Sequence, residues 1–136
     1  MEPARLDRLA QRAMALVAVA FGALTLFAGG RALGGADPGY AVFKPLLIYN
    51  FLMGAAYIAA GVMAWRKLSA GWLAAGIIFV LNALVLGAIA YLYRTGAAVA
   101  VESLRAMSLR TVVWLLLFAG LTWLRRRAGA RALERP

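Results

Sequence analysis

The chain has no cysteine and no histidine. Disulfides, thiol redox chemistry, iron–sulfur ligation and histidine-held haem or metal are therefore excluded from its own side chains. Acidic residues are also scarce, five among 136 residues against fifteen basic ones. Charge of either sign is missing altogether from four stretches: Ala13 to Gly30, Pro45 to Trp65, Leu68 to Tyr93, and Thr111 to Leu124. No Asp, Glu, Lys, Arg or His lies in the core of the first three. That disfavours a proton-coupled transporter of the single-glutamate type, which needs an intramembrane carboxylate. No Ser/His/Asp set can be assembled without histidine, and no phosphate-binding glycine motif is present.

What remains is strongly apolar: 65% hydrophobic and 15% charged residues, against about 45–50% and about 25% in ordinary globular domains. An apolar run of about 20 residues crosses about 30 Å of hydrocarbon as a helix. The pattern predicts an all-α integral membrane four-helix bundle of up-down topology, forming a single domain over 1–136. The expected spans are Ala13 to Leu33, Pro45 to Trp65, Ala70 to Tyr93 and Met107 to Leu124. The first run is too long, and its basic lead too extended, for a cleaved signal peptide. Before it, Arg5, Arg8 and Arg12 share one helical face and Leu6, Leu9 and Ala13 the other, an amphipathic lead-in for the membrane surface. The run Ala97 to Val101 is a candidate interfacial helix within the 94–106 connection. The tail from Arg125 is expected to fray.

Ten of the fifteen basic residues fall in the N-terminal segment, the Arg66-Lys67 turn and the C-terminal tail. The positive-inside rule then places both termini on the cytoplasmic side. Trp65, Trp72 and Trp123 lie at the predicted inner ends, and Tyr40, Tyr49, Tyr91 and Tyr93 at the outer ends, as interfacial belts require. Thirteen of the basic residues are arginine, a usage that suits a GC-rich bacterial genome and hence a bacterial cytoplasmic (inner) membrane. Nucleic acid is not an expected partner, because the charge sits at the ends of apolar runs where headgroups account for it.

Lipid provides no hydrophobic drive between helices, so small residues that permit close approach mark the contact faces. Gly22, Thr25 and Gly29 form such a stripe in span 1, Gly54 and Gly61 in span 2, and Gly76 and Gly87 in span 3. Asn82, near the middle of span 3, is expected to make an interhelical hydrogen bond, since an unpaired amide in hydrocarbon costs several kcal/mol in the limit.

Asn50 stands near the predicted outer face beside Tyr49, with Tyr57 two turns deeper on the same face. The uncharged run of span 4 is 14 residues, about 21 Å of helix, too short for the hydrocarbon. Arg110 must snorkel to the headgroups or face the bundle. The second alternative defines a candidate ligand pocket in the outer half, built from Asn50, Tyr49, Tyr57, Glu102, Arg105 and Arg110, for an anionic or quinone-like headgroup.

The segment from Phe21 to Arg31 (FGALTLFAGGR), followed by Phe43-Lys44-Pro45, Gly54, Gly61 and the Arg66-Lys67 turn, resembles the DoxX-like family of small four-span bacterial membrane proteins. The likeness covers about the first two-thirds of the chain. Arg31 stands where that family usually has lysine, and Tyr49-Asn50 occupies the region where an acidic residue is common. Some relatives are membrane subunits of quinone-linked oxidoreductases; the resemblance implies a fold more than an activity. No cofactor, metal site or catalytic residue is evident in the sequence. The favoured role is an accessory or interaction subunit of a larger membrane complex, or a homo-oligomer, in contact with membrane lipids. The alternative is a binder or carrier of a lipid, quinone or other hydrophobic small molecule. A membrane enzyme is the least favoured reading.

Overall fold

The computed structural model describes residues 2–136, and among them the ordered structure is four α-helices: α1 (Pro3–Leu33), α2 (Lys44–Arg66), α3 (Leu68–Arg94) and α4 (Val101–Leu133). All four are long and apolar enough to cross a membrane. Helices are the physical solution here, because in hydrocarbon each backbone N–H and C=O must be satisfied within its own segment. Pro3 and Pro45 sit in the first turns of α1 and α2, where a missing N–H removes nothing from the helical ladder. Gly96, at φ 85°, lets the chain turn away from the end of α3, a conformation that side chains with a Cβ rarely adopt.

α1 packs along α2, α2 on α3 and α3 on α4, while α1 and α4 meet only lightly. Large side chains stay exposed on every helix: Leu24 and Phe27 on α1, Leu52 on α2, Leu84 on α3 and Leu116 on α4, all more than 60% accessible. Water would oppose so continuous an apolar surface; acyl chains would not. The buried interior has two parts. A larger cluster includes Ala15, Ala18, Tyr57, Ala60, Ala64, Ile78, Trp114 and Leu121. A smaller one at one end joins Leu46, Ile89, Val99 and Met107.

The α1–α2 seam is closed by glycine. A Cβ on Gly22 would stand 2.8 Å from the Gly54 carbonyl oxygen, one on Gly54 2.9 Å from the Leu26 nitrogen, and one on Gly61 2.9 Å from the Ala15 carbonyl oxygen. Gly29 lies against Phe51, and Thr25 is buried on the same stripe with its hydroxyl donating to the Phe21 carbonyl at 2.8 Å. Gly76 abuts the Phe118 ring of α4. Gly87 departs from the expected stripe: it is exposed, and a Cβ there would meet nothing within 4 Å. Over its second half α3 turns Asn82 and Ile89 inward instead, which carries position 87 to the outside. Gly87→Ala is therefore expected to leave thermal stability in detergent unchanged or raise it by up to about 1 kcal/mol, the helix-propensity difference. A loss of 2 °C or more in melting temperature would show that position 87 is a contact after all.

The basic lead-in runs without a break into the first span, as the first turns of α1. Two further expectations are corrected. The tail does not fray at Arg125: α4 runs to Leu133, and Arg127 and Arg131 pair with Asp7 of α1, which ties the last turns to the bundle. The run Ala97 to Val101 does not form an interfacial helix. Val99 is buried against the smaller core cluster, and α4 starts at Val101 with Glu102 in its first turn, where an acidic side chain complements the helix dipole.

A candidate binding cavity beside Arg110 and Asn50

Two polar groups of features occupy the half of the bundle that holds the 34–43 loop. The deeper is a closed hydrogen-bond cluster. The Tyr49 hydroxyl donates to Asn82 Oδ1 at 2.8 Å, and Asn82 Nδ2 donates to the Tyr57 hydroxyl at 3.0 Å. Asn82 and Tyr57 are both fully buried. Asn82 thus joins α3 to two turns of α2. Above and beside this cluster lies an aromatic layer, with Tyr57 between Phe21 of α1 (ring centroids 5.7 Å) and Trp114 of α4 (4.9 Å).

One to two helical turns from that layer, α1, α2, α4 and the 34–43 loop enclose a cavity of about 160 Å³. Its polar lining comes from Thr25, Tyr40, Asn50, Ser103 and Arg110, set among Leu46, Phe43 and other apolar groups. The cavity forms because α1 and α4 diverge here: Ala28, Gly29 and Ala32 on one side and Ser103 and Ala106 on the other leave space that no large side chain fills. Arg110 faces this space rather than lipid. Its Nε is buried and without a hydrogen-bond partner, as is Asn50 Oδ1. No carboxylate lines the cavity, and among the described residues Arg110 has no ion-pair partner. An unpaired guanidinium N–H out of water is unfavourable by several kcal/mol, so the arrangement calls for an acceptor that the chain itself does not provide.

The structure brings together only part of the pocket expected from sequence. Asn50 and Arg110 line it together. Tyr49, at the same level as Asn50, and Tyr57, two turns further along α2, both turn their hydroxyls to Asn82 and do not line the cavity. Glu102 and Arg105 are exposed on the opposite side of α4, because Ser103, Ala106, Met107 and Arg110 are the residues of its first three turns that point inward; these two are corrected out of the site. Sequence reasoning overlooked Ser103, the cavity-lining role of Tyr40, and Trp114. The last carried a signal: a tryptophan in mid-span, far from the interfacial belt that the other three occupy, asks for a packing or polar reason. Here it is buried with Nε1 unpartnered, four residues from Arg110.

Comparison of the chain with protein-family models, curated proteins and solved structures finds no match. The functional reading rests on the cavity.

Proposed function

We propose that the protein is a membrane-resident binder of a small amphiphile, whose anionic or quinone-like headgroup enters the cavity beside Arg110 and Asn50. The observation that carries this reading is that two residues lining one cavity each hold a buried, unpartnered polar atom: Arg110 Nε as donor and Asn50 Oδ1 as acceptor. A headgroup bearing a carbonyl or carboxylate oxygen and a hydroxyl would satisfy both. The apolar part of such a ligand would leave through the lightly packed side between α1 and α4. No carboxylate or histidine lines the cavity to activate the Ser103 or Thr25 hydroxyl, so binding or carrying fits it better than catalysis.

The setting proposed with it is an up-down bundle in a bacterial inner membrane, both termini cytoplasmic, in the DoxX-like manner. Three features support this. Only Lys67 separates α2 from α3, Asp7 near the start of α1 pairs with Arg127 and Arg131 near the end of α4, and the arginine-rich segments all belong to that end.

The test is purification of the full chain in mild detergent, followed by native mass spectrometry of what is retained. A retained amphiphile is expected, with Arg110→Ala and Asn50→Ala each lowering its occupancy about ten-fold or more, as loss of a hydrogen bond to a charged or buried group does. Arg94→Ala, exposed at the end of α3, is expected to have no effect. A stoichiometric larger subunit with no retained amphiphile would overturn the proposal and favour an accessory-subunit role.

A further inference from the structure

A second cavity lies at the opposite end of the bundle and serves no part of the function above. It measures about 400 Å³ and is formed between the first turns of α1 and the last turns of α4, with Leu68 of α3 at its edge. Three arginines line it, Arg8, Arg131 and Arg135, and one acid, Asp7. The Asp7 side chain is only 15% exposed and is already engaged by Arg127 and Arg131. One carboxylate shared by two arginines leaves the cavity with a net positive charge. Arg131 is held by that ion pair through Nη2, and its other terminal nitrogen, Nη1, is buried without a hydrogen-bond partner. The acid therefore anchors Arg131 at the cavity wall, and among the described residues Nη1 lacks an acceptor from the chain itself. A guanidinium so held is suited to the oxygens of a phosphate.

The rest of the wall is apolar. It includes Leu68, Ala128, Ala132 and Leu124, the last residue of the uncharged run in α4. Charged and apolar walls thus meet where the hydrocarbon gives way to the headgroups. Around the same end, Arg12 stacks on Trp65 and Arg125 on Trp72 at 4.9 and 4.1 Å from the ring centroids, so these neighbours are already occupied and Arg8 and Arg131 remain for a ligand. We infer that this cavity binds the phosphate of an anionic phospholipid, with Arg131 and Arg8 on the phosphate oxygens, Arg135 at the mouth, and the acyl chains running past Leu124 along the α1–α4 side. The inference requires that the chain spans a membrane, but not that the Arg110 cavity holds a ligand.

The experiment titrates the purified full chain, in a non-ionic detergent, with dioleoyl phosphatidylglycerol, dioleoyl phosphatidylcholine and glycerol phosphate, reading occupancy by native mass spectrometry. Phosphatidylglycerol is expected to bind about ten-fold more tightly than phosphatidylcholine. Arg8→Gln and Arg131→Gln are each expected to weaken it about five-fold, the contribution of one basic residue at an anionic surface. Arg66→Gln, basic and at the same end but outside the cavity, is expected to leave it unchanged. Among the described residues Arg8 has no ion pair to lose, so its variant reports binding even if Arg131→Gln loosens α4. Equal affinity for the two lipids, or equal weakening by Arg66→Gln, would overturn the site. Glycerol phosphate binding as tightly as the lipid would overturn the lipid as its source. None of these variants touches Arg110 or Asn50, so the two sites fail or stand separately.

Discussion

Gly71→Ala is expected to prevent the protein from folding stably in detergent, with a loss of about 3 kcal/mol or more, at the upper end of what overpacking costs. An alanine Cβ at this position would lie 2.4 Å from both Cα and Cβ of Ala64 and 2.9 Å from the Ala64 nitrogen. Two of those three atoms are backbone, so no rotamer change relieves the overlap. The helices cannot part either, because α2 ends at Arg66 and α3 begins at Leu68, and a one-residue connection fixes their separation at this level. Ala64 is further held through its carbonyl, which accepts from Gln11 Nε2 of α1. The check is thermal unfolding of the purified variants by circular dichroism. Ala64→Gly in the Gly71→Ala background is expected to recover only part of the loss, since it removes the Ala64 Cβ and leaves the main chain in place. Full recovery would mean that the side chain alone sets the contact.

The second large effect is expected at Asn82. Asn82→Leu removes what is, among the described residues, the only acceptor of the Tyr49 hydroxyl, and the partner of the Tyr57 hydroxyl, inside a core where Tyr57 has no exposure. Each stranded hydroxyl costs about 1–3 kcal/mol, though membrane hydrogen bonds measured singly fall nearer 0.6 kcal/mol, so a total of about 2–4 kcal/mol is expected. The discriminating measurement is the triple variant. Adding Tyr49→Phe and Tyr57→Phe to Asn82→Leu leaves no polar atom without a partner, and stability is expected to return to within about 1 kcal/mol of the parent, because replacing all partners by apolar groups of similar shape is nearly neutral. If the triple variant were the least stable, steric fit rather than hydrogen bonding would be what Asn82 contributes.

Asn82 also bears on the Arg110 cavity. It holds Tyr57 by hydrogen bonds, and Tyr57 in turn packs against Trp114, one turn from Arg110. Loss of the Asn82 cluster would thus blur the position of the Arg110 guanidinium without touching it. The two cavities also share a physical origin. They lie at opposite ends of the α1–α4 side, where contact between neighbouring helices is lightest; the apolar hollow beside Gly61 on the α1–α2 seam has no polar side chain facing it but Arg66 at its rim.

Which parts of this were legible in the chain follows from how each kind of information is encoded. The four uncharged runs, the Trp and Tyr placements and the scarcity of acid are sums over neighbouring residues. Transfer into hydrocarbon is nearly additive along a segment, so the presence of four long apolar helices was determined by the sequence alone. The same local logic singled out Arg110, because 14 uncharged residues are too short for a span whatever their neighbours are. The glycines show where that logic stops. Gly87 has the composition of a contact residue and faces outward; Gly71, at the tightest approach in the bundle, lies at the start of the expected third span and outside the stripe of small residues read from it. Glu102 and Arg105 lie as near to Arg110 in the sequence as Ser103 and Ala106 do, yet only the latter two reach the cavity. These outcomes depend on the rotation of each helix about its axis. Apolar residues surround these helices on every side, so one-dimensional hydrophobicity cannot choose the inward face. Only the packing of four helices together decides it, through the steric fit of Gly61 on Ala15, the hydrogen bonds of Asn82 and the divergence of α1 from α4.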